Sequence, residues 1–202
     1  MRLSRLISFV GCAWLLGACA GSHATTHHEP CGLWRPNRSD RNGQAQGRWR
    51  TYYDAANTQP FTAGRYRHGR PVRTFYYYAP NGALDHSERY RREGFCEVTY
   101  WYPAGQVARR GPAQWVTGKG KSPRFYWYGT WTSYAENGQT TGVQTYTDGI
   151  ISRAETYVGG QLSRAEDYQA NRLTRVETYG DGKLVRVDTY ENGRVVSTTT
   201  TL

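Results

Sequence analysis

At 202 residues the chain is long enough for one domain or for one elongated array of repeats. It is hydrophilic, rich in Tyr, Trp, Gly, Arg and Thr, and holds a single Met, a composition that argues for strands and turns and against a helical core. The formal net charge is +10, yet residues 142–196 carry 7 basic and 8 acidic side chains, so the positive excess belongs to the N-terminal two-thirds.

The chain opens with a positive n-region, Arg2 and Arg5, ahead of a short apolar run from Leu6 to Leu16. Leu16-Gly17-Ala18-Cys19 then resembles the lipobox of bacterial lipoproteins. That resemblance implies a signal peptide over residues 1–18 and acylation of Cys19, with Ala20 behind it implying the outer membrane, facing the periplasm or the cell surface. The other readings are an ordinary secretory signal or a membrane helix too short to span. Several acyl chains would make a firm anchor, where one chain alone is marginal. Residues 19–46 are small and polar and read as a tether, with His23, His27 and His28 as solvated side chains rather than metal ligands. Export would leave Cys31 and Cys96 in an oxidising space, where a disulfide between them is possible and the sequence leaves it open.

Residues 47–202 form the expected repeat domain. Turn pairs recur at His68-Gly69, Asn81-Gly82, Glu93-Gly94, Ala104-Gly105 and Asn137-Gly138, while residues 111–124 read as a longer loop or a degraded hairpin. From Tyr146 the pattern becomes regular: Tyr146, Tyr157, Tyr168, Tyr179 and Tyr190 stand eleven apart, each followed by a turn pair. A second column, Arg153, Arg164, Arg175 and Arg186, precedes the tyrosines. Two-residue turns at Ala170-Asn171 and Asp181-Gly182 suit type I′ hairpins. Extended without interruption, that register sets Tyr179 against Leu184, Glu177 against Arg186, Arg175 against Asp188 and Leu173 against Tyr190. One face of every strand would then carry Leu, Arg, Glu and Tyr in order, with each Arg meeting a carboxylate across the ladder.

Three segments resemble MORN-repeat variants of the YwqK-type antitoxin-like kind: Gly69 to Gly82, Tyr90 to Gly105, and Gly129-Thr-Trp131-Thr-Ser-Tyr134-Ala-Glu-Asn-Gly138. Each has an aromatic strand, a turn ending in Gly, and a second strand. The resemblance covers roughly residues 47–195. It implies an all-β fold: an elongated, antiparallel up-and-down meander of repeated β-hairpins in a single-layer sheet. It also implies a scaffold or binding module for proteins or, in some cases, lipids, and carries over no catalytic residues.

Asp85-His86-Ser87 has the residue types of a hydrolytic triad, but adjacent strand residues point to opposite faces and cannot converge. Gly118-Lys119-Gly120-Lys121-Ser122 lacks the earlier Gly of a phosphate-binding loop, since Ala113 and Trp115 stand at the positions its two Gly-Lys pairs would require. No metal site, cofactor or enzymatic activity is expected. The strongest candidate surface interleaves Arg89, Arg91, Arg92, Arg109, Arg110, Lys119, Lys121 and Arg124 with Tyr100, Trp101, Tyr102, Trp115, Trp127 and Trp131. Such a surface suits an anionic protein or envelope component. Single-stranded nucleic acid has matching chemistry but is not expected as a partner of an exported protein. The expected function is a non-catalytic envelope lipoprotein acting as an interaction scaffold. The alternatives are an immunity-like protein that neutralises a toxin, and a structural protein contacting peptidoglycan or the outer membrane.

Overall fold

The structure is a computed structural model that describes residues 35–116 and 124–201. Cys19, Cys31, Lys119 and Lys121 therefore lie outside the described residues. Fifteen strands of the described chain join one antiparallel sheet: β1 (Arg38–Ser39), β2 (Ala45–Tyr52), β3 (Pro60–Arg67), β4 (Arg70–Tyr78), β5 (Leu84–Tyr90), β6 (Phe95–Trp101), β7 (Val107–Val116), β8 (Arg124–Trp127), β9 (Gly129–Tyr134), β10 (Thr140–Thr147), β11 (Ile150–Val158), β12 (Gln161–Gln169), β13 (Arg172–Gly180), β14 (Lys183–Glu191) and β15 (Arg194–Thr200). Each strand pairs with the next in sequence except around β7, whose two halves pair with β8 and β9. The architecture is the expected open up-and-down meander, and among the described residues its first strand starts at Arg38.

The turns follow from backbone angles that most residues avoid. His68-Gly69, Asp148-Gly149, Ala170-Asn171, Asp181-Gly182 and Asn192-Gly193 all hold positive φ at both positions. That is the signature of type I′, whose twist matches that of the flanking strands. The Asn81-Gly82, Ala104-Gly105 and Asn137-Gly138 turns are longer. In each the glycine alone is left-handed, as where Gly82 N–H bonds Ala79 O and Ala79 N–H bonds Ala83 O.

The C-terminal register departs from the uninterrupted one. Gly180 faces Lys183 and Tyr179 faces Leu184 as expected, but the ladder then slips by one, so that Thr178 faces Arg186, Glu177 faces Val187 and Val176 faces Asp188. The same slip occurs in the β11–β12, β12–β13 and β14–β15 ladders, always after the second pair from the turn. This is a β-bulge: one strand contributes an extra residue and bends, as a strongly twisted tight hairpin favours. Its consequence is large, because ladder partners share a face. The Arg–Glu–Tyr triads do not line one face. They alternate: those of β11 and β13 lie on what we call the back, and those of β12 and β14 on the front.

The column arginines accordingly pair along their own strands, and among the described residues Arg153 alone of the four also pairs across them. Arg153 bonds Glu155 at 2.9 Å, Arg164 bonds Glu166 at 2.8 Å, Arg175 bonds Glu177 at 2.7 Å and Arg186 bonds Asp188 at 2.9 Å. Tyrosine hydroxyls donate to the same carboxylates, Tyr157 to Glu155, Tyr168 to Glu166 and Tyr179 to Glu177, at 2.6–2.9 Å. Small residues lie between triads of the same face. Ala165 on the back and Val176 on the front are each 1% exposed, covered by long side chains from the strands on both sides. Arg153 spans such a gap, reaching Asp167 at 2.8 Å and Glu177 two strands away at 3.3 Å. A one-layer sheet thus makes a core without a second layer.

Over β2–β10 the core is aromatic and lies on the front. Phe75, Tyr90, Cys96, Val98, Ala113 and Trp131 are buried, with Tyr66, Tyr77, Tyr100, Trp115, Trp127 and Tyr146 packed against them. Rings fold down over glycines: a Cβ on Gly64 would sit 2.4 Å from the Phe75 ring, and one on Gly111 2.3 Å from the Trp131 ring. Glycine is required there by close approach rather than by backbone angle.

Candidate functional site

The fourteen candidate surface residues are divided by the pleat. Tyr100, Arg109, Trp115, Trp127 and Trp131 fall on the front, because Tyr100 faces Arg109 and Ala113 faces Trp127 in their ladders. Arg89, Trp101, Arg110 and Arg124 fall on the back, as the alternation along β5–β8 dictates. Arg91 and Arg92 belong to the short β5–β6 connection, and Tyr102 caps the β6–β7 hairpin by donating its hydroxyl to Tyr134 O at 2.9 Å.

The front group is knitted into the sheet itself. Trp127 and Trp131 stack at 4.0 Å, and Trp131 is fully buried with its indole N–H donated to Pro112 O at 3.0 Å. The Arg109 guanidinium lies 4.4 Å from the Trp127 ring centroid and 5.1 Å from that of Trp131. Its Nη2 donates to Gln144 Oε1 and to Tyr146 Oη, the latter at 3.2 Å. This cation–π stack crosses β7, β9 and β10 and closes the core. Beside it, the Glu88 carboxylate is buried and accepts hydroxyls from Tyr77 at 2.9 Å and Tyr90 at 2.7 Å. Burial, reinforced by the Glu88 charge, holds both phenols well above their ordinary range. The same two causes push the Cys96 thiol up to about 12. His86 stacks on Tyr77 at 4.1 Å and bonds Asp85 at 2.6 Å, while Ser87, one residue on, turns to the back and accepts from the Trp101 indole at 3.4 Å.

The back group is open. Arg89, Arg110 and Arg124 are exposed, and Arg91 and Arg110 border a 420 Å³ groove lined also by Glu97, Pro112, Tyr128 and Thr130. None of these arginines makes an ion pair among the described residues. The basic back face also extends further toward the N-terminus than the candidate set. Arg48 and Arg50 on β2, Arg65 and Arg67 on β3, and Arg70 on β4 share it, and no acidic residue occurs in those three strands. A signal for them was present in the sequence: Arg48-Trp49-Arg50 and Arg65-Tyr66-Arg67 alternate, which in a strand puts both arginines on one face and the ring on the other.

No protein-family model matches the chain, and no curated protein matches it.

Proposed function

We propose that the protein is a non-catalytic interaction scaffold of the envelope, MORN-like in its repeats and lipid-anchored at Cys19, whose back face binds an anionic partner. One observation carries this reading. The four column arginines of the regular array, Arg153, Arg164, Arg175 and Arg186, each have a carboxylate two residues along the same strand, at 2.7–2.9 Å. Arg89, Arg110 and Arg124 on the back of the central strands have none among the described residues. Arg110 and Arg124 thus lack the along-strand partner that the array supplies, and Arg89 stands opposite Glu97 in its ladder without forming an ion pair with it. An exposed face with an excess of basic groups speeds encounter with negative partners and selects against positive ones. Trp101 adds an aromatic plane on the same side.

The test is affinity capture from envelope extracts with the soluble chain starting at Gly21, beside a variant carrying Arg89→Gln, Arg110→Gln and Arg124→Gln. Wild type is expected to retain a partner that elutes as salt is raised, and the variant, with an unchanged melting temperature, to lose it. Identical recovery by both would sink the reading. For the anchor, Cys19→Ala should release the full chain from membranes into the soluble fraction; undiminished membrane retention would count against lipidation.

A further inference from the structure

Like charges set directly opposite in an antiparallel ladder repel at a Cα separation of about 4.5–5.5 Å and weaken the sheet. The β2–β3 ladder sets Arg48 directly opposite Arg65, and the β3–β4 ladder sets Arg67 opposite Arg70. Both pairs lie on the back. Between β2 and β4 the side chains of Arg48, Arg50, Arg65, Thr74 and Tyr76, with Arg73, rim a cleft of about 310 Å³ floored by Ala63. Among the described residues Arg50, Arg65, Arg73, Thr74 and Tyr76 make no side-chain hydrogen bond or ion pair. The floor makes the contrast with the regular array plain: Ala165 is buried beneath paired side chains, whereas Ala63 is only half-buried, with no such cover. The ladder also shifts between Ala63 and Arg65, and opposite that shift Arg73 holds φ at 65° in mid-strand, a left-handed angle uncommon for a residue with a side chain.

From this arrangement we infer that the β2–β4 cleft is a binding subsite for a phosphate group. Guanidinium forks present pairs of parallel N–H donors that match the oxygens of a phosphate, and a tetrahedral anion can accept forks from two sides at once. Arg50 and Arg65 flank the Ala63 floor from neighbouring strands, and Tyr76 and Thr74 offer neutral hydroxyls from the third. A bound anion would accept from Arg50 and Arg65 together and draw the two guanidinium groups over the Ala63 floor.

This inference rests on the anion-binding reading of the back face but uses other residues, so the two can fail separately. The experiment is thermal unfolding of the Gly21-onward chain with sodium pyrophosphate against sodium chloride of equal ionic strength. A parallel arm measures flotation with phosphatidylcholine vesicles with and without phosphatidic acid. Wild type should gain melting temperature with pyrophosphate. Arg65→Glu, which replaces a guanidinium on the rim of the cleft with a carboxylate, should be indifferent to pyrophosphate. A response to pyrophosphate assigns the site to soluble phosphate compounds. Flotation with phosphatidic acid alone, lost in Arg65→Glu, assigns it to phosphate carried on a membrane. Wild type indifferent to both, or Arg65→Glu responding as wild type does, overturns the inference. Should Arg65→Glu not fold, Arg50→Gln and Tyr76→Phe carry the test, each expected to weaken the response at least threefold. Partner capture retained without any phosphate response fails this subsite alone; the reverse fails only the scaffold reading.

Discussion

Trp131 shows how one residue can act as a core when there is no second layer. Its ring lies on Gly111, stacks on Trp127 and is fully buried. Gly111→Ala would drive a methyl into the ring at 2.3 Å, so the indole must lift and break the stack with Arg109. Overpacking of this kind costs about 1–3 kcal/mol, and chemical denaturation should show at least that loss. A Gly111→Ala chain as stable as wild type would mean that the ring is free to move. The ladder carboxylates make a second prediction. Hydrogen bonds from Arg153 to Glu155, and from Tyr168 and Arg164 to Glu166, hold both acids below the ordinary 4.5. For Glu177 burial pushes upward, but the hydrogen bonds from Tyr179 and Arg153 outweigh it and its value is also lowered. Acids depressed by folding add stability that is complete above their unfolded pKa and is lost as pH falls through the folded one. The melting temperature should be level from about pH 8 to 5 and fall steadily below about 4.5. A midpoint that rises between pH 5 and 3 would contradict the role given to these carboxylates.

Among elements, the β12–β13 hairpin differs from its neighbours in one respect. Ala170 and Asn171 adopt φ of 48° and 62° where the next turn has Asp181-Gly182. The left-handed region costs an alanine about 1 kcal/mol, which Asp and Gly largely avoid. The double change Ala170→Asp with Asn171→Gly should therefore raise stability by roughly 0.5–1.5 kcal/mol in denaturant titration, leaving the sheet unchanged. No gain would mean that the turn angles differ from those described. Elements were also where the sequence was most legible. The eleven-residue period, the turn pairs and the alternation of rings with polar residues gave strand count and order over the C-terminal array. The bulge was not legible, because Ser163, Thr174 and Val185 fit a bulged and an unbulged ladder equally well. Only the twist of the finished hairpin favours the extra residue, and that residue decides which face every later side chain takes.

At the scale of the whole molecule, charge is sorted into two regimes along one continuous sheet. The regular array pairs its column arginines, Arg153, Arg164, Arg175 and Arg186, with its own carboxylates. The strands before it leave the back face basic and the front face aromatic. The candidate surface read from the sequence combined both, since a list of nearby arginines and aromatics carries no sign of face. Folding separated them: Arg109, Trp127 and Trp131 became core, while Arg89, Arg110 and Arg124 stayed exposed with Trp101 beside them. The function proposed for the back face, and its loss of salt-sensitive capture in the triple arginine variant, belong at this scale because no single strand holds the surface.

The sequence by itself determined the all-β class, the meander and the positions of the turns of the C-terminal array, because period and left-handed turn chemistry are local properties of consecutive residues. What only the tertiary structure decided is which side chains share a face. That depends on a one-residue slip within each C-terminal hairpin and on ladders between strands, and both are set by sheet twist and packing. Arg48 opposite Arg65 is such a fact: seventeen positions apart in the chain, the two meet only because β2 and β3 pair in that register.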